Sequence, residues 1–97
     1  MKTIRFSPEA LEDIRSAFDW YEQARDGLGS EFAIEVSHTI RRIQERPEAW
    51  PIVRGRIRRC RTHRFPYAVL YHPRGDEIAV VAVMHLHRHP DAWRRPR

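Results

Sequence analysis

The chain has 97 residues, a single cysteine and a formal net charge of +5, a length that allows one domain, spanning 1–97, and excludes a second. No run approaches the roughly 18 apolar residues of a membrane span, the opening Met1 to Phe6 lacks a signal-peptide core, and Cys60 alone cannot close an internal disulfide. The expectation is a cytoplasmic protein with no membrane partner.

Lys2 to Phe6 alternates polar and apolar residues, the pattern of a short strand. Ser7, Pro8 and Glu9 follow as N-cap, first helical position and first-turn acid. Ala10, Leu11, Ile14, Ala17, Phe18 and Tyr21 then form one stripe, which predicts an amphipathic helix. Trp20 lies off the stripe, and packing against a neighbour is the ordinary use of such a tryptophan. Asp26 to Ser30 breaks the helix, Ser30 is the candidate cap of a second, and Pro47 stops that one. Phe32, Val36, Ile40 and Ile43 give the second helix an apolar face, so the two form a helical hairpin that must bury its stripes against a sheet. Glu48 to Gly55 is predicted as a connecting loop, with Trp50 and Ile52 tucked under the helices.

Ile57 to Thr62 is predicted as a strand in spite of Arg58, Arg59 and Arg61, so one of its faces must meet solvent or a ligand. Phe65 to Tyr71 is aromatic and β-branched enough for another, with Pro66 confined to its beginning. His72 to Asp76 reads as a hairpin turn, and Ile78 to Met84 is seven consecutive apolar residues, the profile of a central strand buried on both faces. The predicted fold class is α+β, in the order β-α-α-β-β-β, with the helical hairpin on one face of a small antiparallel sheet and the other face open.

The charge is unevenly spread. Residues 1–48 carry seven cationic and ten acidic side chains, while residues 49–97 carry eleven and three. No acid occurs from Ala49 to Gly75, and Lys2 is the only lysine. Arginine suits the planar fork of carboxylate and phosphate better than an ammonium does, which points to a binding face for a polyanion or an acidic protein. Arg59 and Arg61 share one side of their strand, as do Tyr67, Val69 and Tyr71 of the next, and the sequence leaves open which set faces the helices. If Arg58, Arg59, Arg61 and Arg64 converge with His85, His87 and Arg88, arginines hold phosphates while a histidine moves protons, the combination that cleaves RNA through its own 2′-hydroxyl. A metal at His85, His87 and His89 is disfavoured by the surrounding arginines, and no cofactor is expected. Cys60 reads as a core residue.

The sequence resembles the RelE/ParE superfamily of bacterial type II toxins. The resemblance rests on Ser7-Pro8-Glu9-Ala10, Trp20-Tyr21, Phe32, Pro47 with Trp50-Pro51, Arg64-Phe65-Pro66-Tyr67 with Tyr71, and His85 to Pro90 followed by Trp93. It implies a toxin encoded beside a cognate antitoxin, whose acidic or amphipathic segment blocks the working face. RelE-like members of the superfamily cut ribosome-bound mRNA, and ParE-like members poison DNA gyrase without a catalytic centre. Here no C-terminal tyrosine follows Tyr71, and the ending looks more like the ParE side. The expectation is a non-catalytic gyrase poison, with Arg58, Arg64, Tyr71, Arg88 and Trp93 as binding residues. The alternative is an endoribonuclease acting on the ribosome and mRNA, with His85, His87, Arg59 and Arg61 as its catalytic set.

Overall fold

The computed structural model describes residues 1–87. Strand β1 (Thr3–Phe6) leads into helix α1 (Pro8–Ala24), whose N-cap Ser7 accepts from the Ala10 amide at 3.0 Å. Helix α2 (Leu28–Glu45) begins two residues before the expected cap at Ser30. Gly27 (φ 89°) turns the chain there at no steric cost, and the Glu22 carboxylate of α1 accepts from the Gly27 and Gly29 amides at 2.9 Å each. These bonds do the work of a cap. A side chain at Gly29 would meet the Phe18 carbonyl oxygen at 2.6 Å, so this glycine is what lets the two helices approach.

Four further strands follow: β2 (Ile52–Arg54), β3 (Ile57–Arg61), β4 (Tyr67–Arg74) and β5 (Glu77–His85). The sheet order is β1-β5-β4-β3-β2. The α+β class and the helical hairpin are as expected, with two differences. Ile52–Arg54, expected within a loop, forms a short edge strand against β3, and Ile52 on this outermost strand is 56% exposed instead of tucked under the helices. The sheet is mixed, because β1 pairs with β5 in parallel. The helical hairpin carries the chain from the β1 edge to the β2 edge, and three antiparallel steps through β3 and β4 bring β5 back beside β1 running in the same direction.

The helix-facing side of the sheet carries Cys60, Tyr67, Val69, Tyr71, Ile78, Val80 and Val83, packed against Ala10, Ala17, Phe32, Val36 and Ile43. At one end of this core Tyr21, Phe32, Phe65 and Tyr67 form an aromatic cluster, with ring centroids 4.8 Å apart for Tyr21 and Phe65 and 4.9 Å for Phe32 and Tyr67. The strand buried on both faces is β4, where Tyr67 to Tyr71 are all inaccessible, whereas β5 alternates over much of its length. The face away from the helices is therefore not open at its centre: Ala68, Leu70 and Ala82 lie there and are buried. The β4 to β5 turn is also tighter than expected, at Gly75-Asp76, so that His72 and Pro73 belong to the strand.

Candidate functional site

The acid-free stretch forms the β3 side of the sheet. Arg59 and Arg61 pair with Leu70 and Ala68, which puts both arginines on the face away from the helices. Arg59 is half-buried and Arg61 exposed. With Arg42, Trp50, Pro51, Thr62 and His63 they line a cleft of about 290 Å³ at the sheet edge.

Arg42 frames this cleft from the last turn of α2. Its Nη2 donates to Thr39 Oγ1 and to the Arg61 carbonyl at 3.0 Å each, its Nη1 lies 3.5 Å from Cys60 Sγ, and its guanidinium sits 5.7 Å from the centre of the Trp50 ring. The sequence reading missed it. The available signal was its spacing, three residues after Thr39, on the α2 face that buries Phe32, Val36 and Ile43. The Cys60 thiol is buried, and burial pushes it up from its ordinary value.

The arginines divide into answered and unanswered ones. Arg5 faces Glu77, Arg15 faces Glu12 and Asp19, Arg25 and Arg64 share Glu31, and Arg41 lies near Glu45. Among the described residues the side chains of Arg59 and Arg61 have neither an ion pair nor a hydrogen bond.

The turn beside the cleft, from Thr62 to Pro66, is held by a residue also missed in the sequence. Glu35, 7% exposed, accepts from the backbone amides of His63 and Arg64. Burial by itself would raise this carboxyl, but the two amides and the nearby His63 and Arg42 charges outweigh it and hold the group below the usual carboxylate range. Thr62 Oγ1 donates to the Phe65 carbonyl at 2.7 Å. Phe65 itself takes φ 69°, a left-handed conformation uncommon for an aromatic residue, and its ring closes the aromatic cluster. An acid in the middle of an apolar helical stripe was the signal for Glu35.

Three of the expected binding residues make contacts within the fold. Tyr71 is fully buried, its hydroxyl donates to the Pro47 carbonyl at 2.7 Å, and burial pushes its phenol well above the ordinary range. Arg58 faces the helix side and donates to the carbonyls of Glu48 and Trp50, at 3.1 and 2.7 Å, tying the loop before β2 to the sheet. Arg64 pairs with Glu31 at 2.8 Å and lies 5.2 Å over the Phe65 ring.

His85 and His87 meet at the end of β5. The His87 amide donates to His85 Nδ1 at 3.0 Å, so a neutral His85 carries its proton on Nε2, and the His85 ring packs edge-on against Tyr67 at 5.1 Å. His85 sits directly opposite Tyr67, on the helix-facing side, while Arg59 and Arg61 are two strands away on the other face. The expected catalytic set is not brought together. Arg88, His89 and Trp93 lie outside the described residues. Among the described residues no group of three His, Cys, Asp or Glu side chains is arranged to hold a metal ion, and no helix is long and apolar enough to cross a membrane.

A helical hairpin over a five-stranded mixed sheet, with a cleft lined by arginines at one edge, defines a small α+β protein. The chain belongs to the ParE toxin family: the family model for the ParE toxin of type II toxin–antitoxin systems, parDE, matches residues 4–90. A solved structure described as the chromosomal ParDE TA system from P. aeruginosa is similar in fold, with a TM-score of 0.77 at 15% identity over 88% of this chain and 96% of that one. Comparison with curated proteins finds no match.

Proposed function

We propose that this toxin acts in the cytoplasm by binding DNA gyrase without a catalytic step, and that a cognate antitoxin with an acidic or amphipathic segment neutralises it. One observation carries the non-catalytic reading. An RNA-cleaving centre needs its proton donor or acceptor within hydrogen-bond reach of the scissile group that the cations hold, and here His85 and the Arg59–Arg61 pair are on opposite faces of the sheet, two strands apart. His85 is further engaged by the His87 amide and the Tyr67 ring. Membership of the ParE toxin family and the likeness to a ParDE toxin–antitoxin structure support the choice of gyrase-type target and of an antitoxin partner.

The test is controlled expression in a bacterium without the neighbouring gene, scoring DNA breaks and nucleoid shape beside cleavage of ribosome-bound message. The expected result is DNA damage with intact message, and killing retained when His85→Gln and His87→Gln are combined. Cut message with intact DNA overturns the proposal. So does a double histidine variant that is soluble, binds antitoxin and no longer kills.

A further inference from the structure

The cleft at the β3 edge has three properties that together specify an occupant. It is cationic, since Arg42, Arg59 and Arg61 line it and no acid occurs between Ala49 and Gly75. Its walls are largely hydrocarbon and aromatic, supplied by the Trp50 ring, Pro51 and the arginine stems. Its charge is uncompensated at Arg59 and Arg61, two like charges on one face of one strand that repel each other until an anion lies between them.

A bare anion would leave the Trp50 and Pro51 wall in water, and a purely apolar side chain would leave the arginines unanswered. We infer that this cleft receives a stretch of the antitoxin in which an apolar side chain and a carboxylate are neighbours, the apolar group lying on Trp50 and Pro51 and the carboxylate spanning Arg59 and Arg61. The inference rests on the antitoxin reading above and gives it an address. Arg42 is a positioning residue here: through the Arg61 carbonyl and the Trp50 ring it fixes the distance between the basic wall and the aromatic one. Hydrogen bonds between a guanidinium and a carboxylate are roughly twice as strong as neutral ones, and enclosure by the aromatic wall shields them from the screening that weakens exposed pairs.

The experiment measures binding of the protein encoded by the neighbouring gene to the purified chain, at two salt concentrations. It compares the wild type with Arg59→Gln combined with Arg61→Gln, and with a charge-matched control, Arg56→Gln combined with Arg74→Gln, at exposed positions outside the cleft. The cleft variant is expected to bind at least about 30-fold more weakly, mainly through faster dissociation, as when one side of an enclosed charge pair is truncated. The control is expected to change association by only a few-fold.

A second readout subtracts the emission of a Trp50→Phe variant from that of the wild type, each saturated with partner; the Trp50 contribution should move to shorter wavelength on binding. Equal losses in the cleft variant and the control, or unchanged Trp50 emission, overturn the cleft assignment while leaving the antitoxin reading intact. No binding to the wild type overturns both. A single-stranded RNA oligonucleotide that displaces the partner from the wild type and binds the cleft variant poorly assigns the site to nucleic acid and also overturns the inference.

Discussion

The two sides of the sheet meet the same problem with opposite chemistry. A strand at an edge presents unpaired amides and carbonyls, which a fold must cover. On the β5 side, β1 pairs as far as Phe6 and Val80, and α1 then takes over: the Ser7 amide donates to the Val80 carbonyl, Ser7 Oγ to the Val81 carbonyl at 3.1 Å, and the Val83 amide to Asp13 Oδ2 at 3.0 Å. On the β3 side, β2 is three residues long, the Arg59 amide reaches the Pro51 carbonyl, and Arg42 then donates to the Arg61 carbonyl. A carboxylate closes the first edge and a guanidinium the second. Closing by an acid consumes a negative charge within the fold, whereas closing by Arg42 adds a positive one beside Arg59 and Arg61. The first closure adds no positive charge, and the second gathers three guanidinium groups around one cleft.

The largest expected effect is at the turn that ends the basic edge. Glu35→Ala leaves the His63 and Arg64 amides without their shared carboxylate and frees a loop that holds Phe65 in a left-handed conformation. Two bonds to a charged acceptor are worth roughly 3 kcal/mol together, a fall of well over 10 °C in melting temperature for a domain of this size, measurable by thermal or urea unfolding. The same group sets a pH dependence. Its folded pKa lies below the ordinary value of 4.5, so its contribution is complete above that value and is lost as pH falls through the lowered one. Glu35→Gln should remove that part of the acid-unfolding slope, and an unchanged slope would mean that other carboxylates dominate it.

Asp13→Ala tests the closed edge. It orphans the Val83 amide, part-buried between α1 and the sheet, and should cost about 2 kcal/mol. A loss under about 0.5 kcal/mol, the size of an ordinary surface effect, would mean that water replaces the carboxylate and that this edge is less sealed than the other.

These two acids also show what the sequence conceals. The helices were legible because their apolar stripes at 32, 36, 40 and 43, and at 10, 14, 17 and 21, have a period no strand shares, and the hairpin of β4 and β5 because of Gly75-Asp76 between apolar runs. What decides the edges is long-range: Asp13 meets Val83, and Glu35 meets His63. A local pattern can mark such an acid, as it does for Glu35, but not the distant amide that it meets. The parallel pairing of β1 and the three-residue β2 were hidden for the same reason, since a strand that short is defined by its partner. At the site, alternation correctly grouped Arg59 with Arg61, but which face they took depended on Cys60, Tyr67, Val69 and Tyr71 all turning toward the helices. Once that is known, His85 falls on the other side from the arginines because it lies opposite Tyr67.

The smallest expected effect is the most informative. Arg59→Gln combined with Arg61→Gln removes two charges from side chains that hold nothing within the described fold, so stability should change by no more than about 0.5 kcal/mol. Its sign can be argued: the two arginines repel, and the glutamines keep most of the hydrocarbon stem against the cleft wall, so the change should be toward greater stability and should shrink as salt screens the wild-type repulsion. Denaturant titrations at low and high ionic strength measure both the size and the salt dependence. A loss of 2 kcal/mol would make these arginines part of the β3 edge in the way that Asp13 is part of the β5 edge, and the contrast between the two would disappear. A neutral result, beside a strong loss of partner binding, separates what holds this sheet together from what the sheet holds out.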